Sequence, residues 1–496
     1  MSTVFYPLLY QINTRVRQHK FSHDTSVLLG LDDWPDTEWD QIAAQGFHWV
    51  WLLGVWETGA AGQHVSRTHP AWQESFKACL PDLSETDICG SCFAITHYRV
   101  ADRFGGDEAL QRLRRKLNER GLRLMLDFVP NHTALDHPWV QMHPEFYIRG
   151  TQKDLEQHPQ NYIALKSDSS DVDQQIFAYG RDPFFDGWPD ALQQAMLEEL
   201  LRVAEHCDGV RCDMAMLLLP QIFERTWHRS IEPFWSVVIP AVRKRFPEFL
   251  FLAEVYWDQE WALQQEGFDY TYDKRLYDRL LDQAARPIRD HLVADIDYQR
   301  KLTRFLENHD ERRAAASFPP EVHEAAAMIN YLAPGMRFFH AGQLEGKQIH
   351  IPIHLCRGPD EPIDLRLSRF YQRLLQVLRK PLLQYGSWEL LECLPAWKGN
   401  ETWNNFIIYH WQEENGDTLL IVVNYAPHAG QCRVKLSAPQ PEAEIKPWHD
   451  LMNPGEQLSV QEESITRLFF DLPAWGYHVL EKQTDYTDQN NAGSSG

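Results

Sequence analysis

From Val4 to about Gly386 the chain repeats one pattern, a short apolar run followed by a polar loop and an amphipathic helical stretch. Such alternation signals a parallel α/β sheet. Phe47 to Leu53 (FHWVWLL) and Leu122 to Val129 (LRLMLDFV) read as strands. Between them, Gly106 to Gly121 reads as a helix carrying Leu110, Leu113 and Leu117 on one face. Further strands are expected at Gly209 to Asp213, Phe249 to Glu254, Thr303 to Asn308 and Met336 to His340. A helix is expected over Ala191 to His206, with Leu192, Met196, Leu200 and Val203 in register. The stretch 131–189 is rich in His, Pro, Asp and Gln and holds no period, which suits a functional loop or a small inserted domain. Beyond Gly386 the pattern changes to short strands at Phe406 to Trp411, Leu419 to Asn424, Cys432 to Leu436, Leu468 to Leu472 and Tyr477 to Leu480. Closely spaced strands of this kind suggest an antiparallel sandwich. The polar tail, 483–496, is expected to be disordered.

Size and charge narrow the function classes. With 496 residues, 44% of them hydrophobic, the chain can bury the cores of two or three domains. A formal net charge of -22 argues against binding a phosphate backbone, so no nucleic acid partner is expected. The apolar stretch from Val4 to Tyr10 is interrupted by Pro7 and lacks a basic region before it, so it does not read as a signal peptide. No run reaches membrane-spanning length. Eight cysteines at irregular spacing suit reduced thiols and a cytoplasmic location. Cys89-Gly90-Ser91-Cys92 is a single CxxC without a second ligand pair, and reads as a loop rather than a zinc site.

Charged residues gather where strands end. Arg211 and Asp213 are two apart, so on a strand they leave the same face. A guanidinium beside a carboxylate keeps it ionised, as a nucleophile requires. Asp127 with Asn131 and His132, Glu254, and Asn308 with His309 and Asp310 close three other strands. In a β/α barrel such strand ends converge on one face, bringing four acids into one pocket. One arginine cannot neutralise them all, so a functional reading outweighs a structural one.

Taken together, DFVPNH (127–132), GVRCDM (209–214), FLAEVYW (251–257) and FLENHD (305–310) resemble, in order and spacing, the four motifs of the α-amylase superfamily of glycoside hydrolases. The resemblance implies a (β/α)₈ TIM barrel over 1–130 and 190–386, an inserted subdomain over 131–189 after the third strand, and a C-terminal antiparallel β-sandwich over 387–482. Carried across position by position, Asp213 resembles the nucleophile, Glu254 the general acid/base and Asp310 the third acid that stabilises the transition state. Arg211 would orient and ionise Asp213, and Asp127, His132 and His309 would contact the sugar. Tyr98, in AITHYRV, resembles the aromatic platform under that sugar, although His97 stands where the family usually has Asp. Trp257 would stack on the leaving-group side.

These roles imply a retaining double displacement on α-glucosidic oligosaccharides, ending in hydrolysis or transfer, without a cofactor. An isomerase or phosphorylase on the same scaffold, and a non-catalytic glycan-binding relative, are the alternatives. The second of these usually loses an acid, whereas all three are present here. Endo-amylases carry a Lys-His pair where this chain has Met216 and Leu217, and that His often serves a calcium site with the Asn of the first motif. Calcium is therefore not expected at Asn131. NHTALDHPW (131–139) resembles oligoglucosidase- and sucrose-acting branches, and Gly187-Trp188-Pro189-Asp190 resembles the fifth motif with a shortened loop beside it.

Overall fold

The structure, a computed structural model, describes residues 5–159, 162–166, 174–178, 190–413, 417–436, 448–455, 460–464 and 467–482. Eight parallel strands close into a barrel in chain order. They are β1 (Leu8–Asn13), β2 (Trp49–Leu53), β3 (Arg123–Phe128) and β4 (Gly209–Cys212), then β5 (Leu250–Ala253), β6 (Tyr270–Tyr272), β7 (Leu302–Arg304) and β8 (Met336–His340). Strand β1 pairs with β2 through Tyr10 and Val50 and with β8 through Leu9 and Phe338, which completes the ring. All five residues of β2 are buried. Enclosure on both faces is why the barrel strands read as continuous apolar runs instead of alternating ones.

Helices cover the outside. Helix α1 (Gly106–Asn118) buries Leu110, Leu113 and Leu117, with Asp107 and Glu108 in its first turn and Arg115 and Lys116 in its last. That charge order opposes the helix dipole at both ends. Helix α2 (Asp190–His206) buries Leu192, Met196, Leu200 and Val203.

Two strands escaped the sequence pattern and one was too long. Strand β6 is three residues, too short for any period, and β1 lies in a stretch legible only as apolar. The strand expected over Thr303 to Asn308 ends at Arg304. Beyond it the Leu306 N–H donates to the Tyr331 hydroxyl at 3.3 Å, and Asn308 Oδ1 accepts the N–H groups of Asp310 and Glu311 at 2.8 and 2.9 Å. Side chains take over the backbone groups there, and the chain turns out of the sheet.

Two excursions rise from the end of the barrel where the strands finish. Between β2 and β3, Trp56–Thr58 pairs antiparallel with Ile95–Val100, with helices Ala60–Thr68 and Pro70–Cys79 in between. After β3 come helices Pro138–Met142 and Gln152–Gln157 and the antiparallel pair Tyr162–Lys166 and Gln174–Ala178. Residues 187–189 of the fifth-motif resemblance, and the tail 483–496, lie outside the described residues.

Past the barrel, a five-stranded and a four-stranded antiparallel sheet pack over a core that includes Phe406, Ile408, Val422, Cys432 and Phe470. This unit is fastened to the barrel's outer layer by polar side chains. The Tyr409 hydroxyl donates to the Met328 carbonyl at 2.8 Å, Trp411 Nε1 to Leu332 at 2.8 Å and the Tyr425 hydroxyl to Leu280 at 2.7 Å.

Candidate active site

The site begins with a glycine. A Cβ on Gly209 would lie 2.8 Å from the Leu250 carbonyl oxygen, so only glycine lets β4 and β5 approach this closely. Two residues on, Arg211 points into the barrel, fully buried, with its guanidinium over the rings of Phe93 (5.1 Å), Trp51 (5.4 Å) and Tyr272 (5.9 Å). An enclosed cation of this kind needs anions, and it has two. Nη1 donates to Asp213 Oδ1 at 2.6 Å, and Nη2 lies 2.7 Å from Glu254 Oε2. The second contact is an ion pair whose angle falls short of a hydrogen bond.

The carboxylates are fixed by the backbone as well. The Asp213 N–H donates to the Phe128 carbonyl at 2.8 Å, the Glu254 N–H to Cys212 at 3.0 Å and the Ala215 N–H to Glu254 at 3.0 Å. Immediately after Asp213, Met214 takes a left-handed conformation with φ of 43°. This turns its N–H onto Glu254 Oε2 at 2.7 Å. Left-handed backbone is uncommon for a side chain of that size, and here it supplies a donor that no side chain contributes.

Burial, and then the neighbouring Asp213 and Asp310, push the Glu254 carboxyl up to about 8 against the pull of Arg211. Glu254 therefore carries its proton at neutral pH. Oxygen Oε2 already faces Arg211 and the Met214 N–H, so the proton belongs on Oε1, which lies 2.9 Å from the Tyr256 hydroxyl. Asp213 is hydrogen-bonded to the same guanidinium.

The other expected residues divide into two groups. Asp310 is open, its side chain 39% exposed, and His132 and Trp257 also reach solvent, Trp257 with φ of 61° and 51% exposed. His309 is buried and held neutral by burial and then by Arg211. Its Nδ1 faces the Gln11 amide nitrogen at 2.9 Å, which leaves the ring proton on Nε2, 3.0 Å from Asp310 Oδ2. Asp127 corrects the sequence expectation of a sugar contact. It is 0% exposed, with Oδ1 accepting from Trp51 Nε1 at 2.9 Å and Oδ2 from the Gly54 N–H at 2.8 Å. Both oxygens are spent on the floor of the site. Arg211, likewise fully enclosed, acts on the site only through the carboxylates it holds. Tyr98 lies at the edge, its hydroxyl accepting from the Val129 N–H at 2.8 Å while the ring packs on Phe128 and Trp56.

The sequence reading missed Tyr256, although FLAEVYW places it two residues after Glu254. It also missed Phe93, Tyr272 and Gln11, which no motif announces. Around Asn131, as elsewhere among the described residues, no three His, Cys, Asp or Glu side chains gather as a metal cage.

The pattern of the alpha amylase catalytic domain matches residues 92–265, which contain the Phe93 wall, Arg211, Asp213 and Glu254. This stretch of the chain is similar to the catalytic domain of α-amylases. An α-amylase of Dictyoglomus thermophilum is 22% identical over 296 residues, covering 55% of this chain and 57% of that protein. An α-1,4-glucan:maltose-1-phosphate maltosyltransferase of Rhodospirillum rubrum is 28% identical over 219 residues, covering 43% of this chain and 27% of that one. The chain thus spans little more than half the length of the first of these relatives and about a quarter of the second. Among solved structures, a maltogenic α-amylase from Thermotoga neapolitana superposes with a TM-score of 0.68 at 18% identity, covering 96% of this chain and 99% of that chain. At that identity the likeness speaks for the α-amylase fold alone.

Proposed function

We propose that this chain is a retaining α-glycoside hydrolase or transglycosylase of α-amylase type, acting on α-glucosidic oligosaccharides through a covalent glycosyl-enzyme. The observation that carries the reading is the single buried guanidinium shared by two carboxylates with opposite proton requirements. Asp213, ionised, attacks the anomeric carbon, while Glu254 gives the proton on Oε1 to the departing oxygen. The bond to the leaving group breaks as the bond to Asp213 forms. Glu254, now a carboxylate, then takes a proton from water or from a sugar hydroxyl, which displaces Asp213 with net retention. Asp310, open to the cleft and steadied by neutral His309, is placed to bind sugar hydroxyls. These steps use side chains alone.

Trp257 suits the leaving-group side: exposed, three residues past the acid, with the Arg225 guanidinium 5.7 Å from its ring centroid. Met216, where endo-amylases carry Lys, is fully buried, so it offers an acceptor sugar no polar contact. Both features favour short substrates over a polymer. The relatives named for amylase and maltosyltransferase activity support hydrolysis and transfer alike, and the acceptor is the point an experiment must decide.

The test is anomer-resolved NMR of maltose, maltotriose, isomaltose, sucrose and trehalose incubated with the protein, with Glu254→Gln as control. Initial release of an α-anomer by the wild type alone supports the proposal and identifies the linkage. Products longer than the substrate assign transfer. Initial β-anomer release, or turnover undiminished in the variant, would sink the assignment.

A further inference from the structure

A second buried arginine, Arg15, has a chemical environment unlike that of Arg211. It is 4% exposed, and among the described residues no carboxylate pairs with it. Its Nη1 donates to the Gly90 carbonyl at 2.6 Å and to Cys89 Sγ at 3.3 Å, and Nη2 donates to Thr58 Oγ1 at 3.1 Å. The groups nearby that can become anions are thiols: Cys89, Cys92 and Cys356. A buried cation without a carboxylate favours ionisation of the thiol it touches.

Cys89 and Cys356 meet across two chain segments that pair antiparallel. Ile88 bridges Leu355, the Cys89 N–H donates to the His354 carbonyl at 2.8 Å and the Cys356 N–H to the Asp87 carbonyl at 2.9 Å. Since Cys89 lies opposite His354, Cys356, two residues further along the facing segment, falls on the same face as Cys89. The neighbouring Cys356, and then Arg15, bring the Cys89 thiol down to about 6 against burial, while the neighbouring Cys89 pushes Cys356 up. Cys89 is partly exposed and Cys356 nearly enclosed. Cys92, fully buried with its Cβ against Gly54, is a packing residue.

We propose that Cys89 and Cys356 form a redox modification site, in which a hydroperoxide oxidises the Arg15-held Cys89 and Cys356 resolves it as a disulfide. In the first step the Cys89 thiolate attacks the terminal peroxide oxygen. An S–O bond forms, the O–O bond breaks and hydroxide leaves, giving a sulfenic acid. In the second, Cys356 attacks the Cys89 sulfur. The S–S bond forms, the S–O bond breaks, and the departing hydroxide takes the Cys356 proton as water. One peroxide accepts the two electrons that the pair of sulfurs loses.

The link would tie together two segments that both reach the catalytic wall. Phe93, four residues after Cys89, packs 5.1 Å from Arg211 and 5.5 Å from His309, and His350 Nε2 lies 2.8 Å from the His309 carbonyl oxygen. The site stands on geometry independent of the glycosidase reading.

The experiment exposes the reduced full-length chain to hydrogen peroxide, blocks free thiols with iodoacetamide and maps the digest by mass spectrometry. A Cys89–Cys356 crosslinked peptide, two hydrogens lighter than the reduced pair and lost on treatment with dithiothreitol, is the expected result. In Cys356→Ser, Cys89 should be trapped by dimedone as a sulfenic acid. The rate of Cys89 alkylation should rise with pH around a midpoint near 6, well below the roughly 8.5 of a free thiol. Two unmodified thiols at doses that oxidise free cysteine, or a Cys89–Cys92 link, would overturn the proposal. The wild-type map decides this even if the variant fails to fold.

Discussion

Arg211 and Arg337 are both fully buried in the same barrel, yet they do opposite things. Arg337, on β8, donates Nε to the Tyr331 carbonyl at 2.9 Å, Nη1 to Tyr6 at 2.8 Å and Nη2 to Leu383 at 2.8 Å. It meets no carboxylate among the described residues, and burial lowers its pKa to about 10. Arg211 is surrounded by acids: against its burial, Glu254, Tyr272 and Asp213 hold it well above the ordinary range, and among the described residues its Nε has no partner. The first arginine is a clamp that satisfies three carbonyls. The second stores charge and leaves part of its valence unspent. Burial alone does not mark a functional residue; a buried charge facing acids that cannot all be neutralised does.

Substitutions in the two places should therefore fail differently. The largest effect is expected for Asp213→Asn, which leaves no nucleophile and should lower kcat/KM on the order of 10⁴-fold or more while the chain still folds. Wild-type turnover in that variant would remove the distinction between the two arginines. Glu254→Gln should cost about 10²–10⁴-fold. It should also abolish the alkaline limb of the pH profile. The sign follows from the raised carboxyl: the acid form is the active one, so activity falls as pH rises through about 8 and Glu254 loses its proton.

Arg337→Met tests the other half of the comparison. Three buried carbonyls would lose their donors at about 1–3 kcal/mol each before relaxation, so denaturant titration should show a loss of about 3 kcal/mol or more. The pH profile of the folded fraction should keep its shape. A shifted alkaline limb in this variant would mean that the clamp communicates with the acids. The smallest effect is expected for Tyr256→Phe. The hydroxyl donates to Glu254 Oε1 and so favours the carboxylate; its loss should raise the alkaline limb by about one pH unit, with little change in KM. A downward shift would show that Tyr256 instead accepts the Glu254 proton.

How much of this could be read in advance differs from residue to residue. Asp213, Glu254 and Asp310 were legible because carboxylates at strand ends are anomalous in an apolar pattern, and a barrel brings strand ends together. Arg211 beside Asp213 was legible because the period of a strand puts i and i+2 on one face. The second contact of Arg211, to Glu254, was not, since it depends on how closely β4 and β5 approach at Gly209. Asp127 read as a sugar contact by motif, but whether its oxygens are free depends on the Trp51 indole and the Gly54 N–H, which reach it from another strand.

The chain's own pattern thus determined the alternation of strand and helix, the change to antiparallel sheets after Gly386 and the positions of the three acids, because all of these are properties of near neighbours along the chain. The tertiary structure alone decided which oxygen of Glu254 carries the proton, which acid is sealed beneath the site and which thiol meets a buried arginine. Those outcomes depend on desolvation and on partners tens or hundreds of residues away, and neither is encoded in any local period.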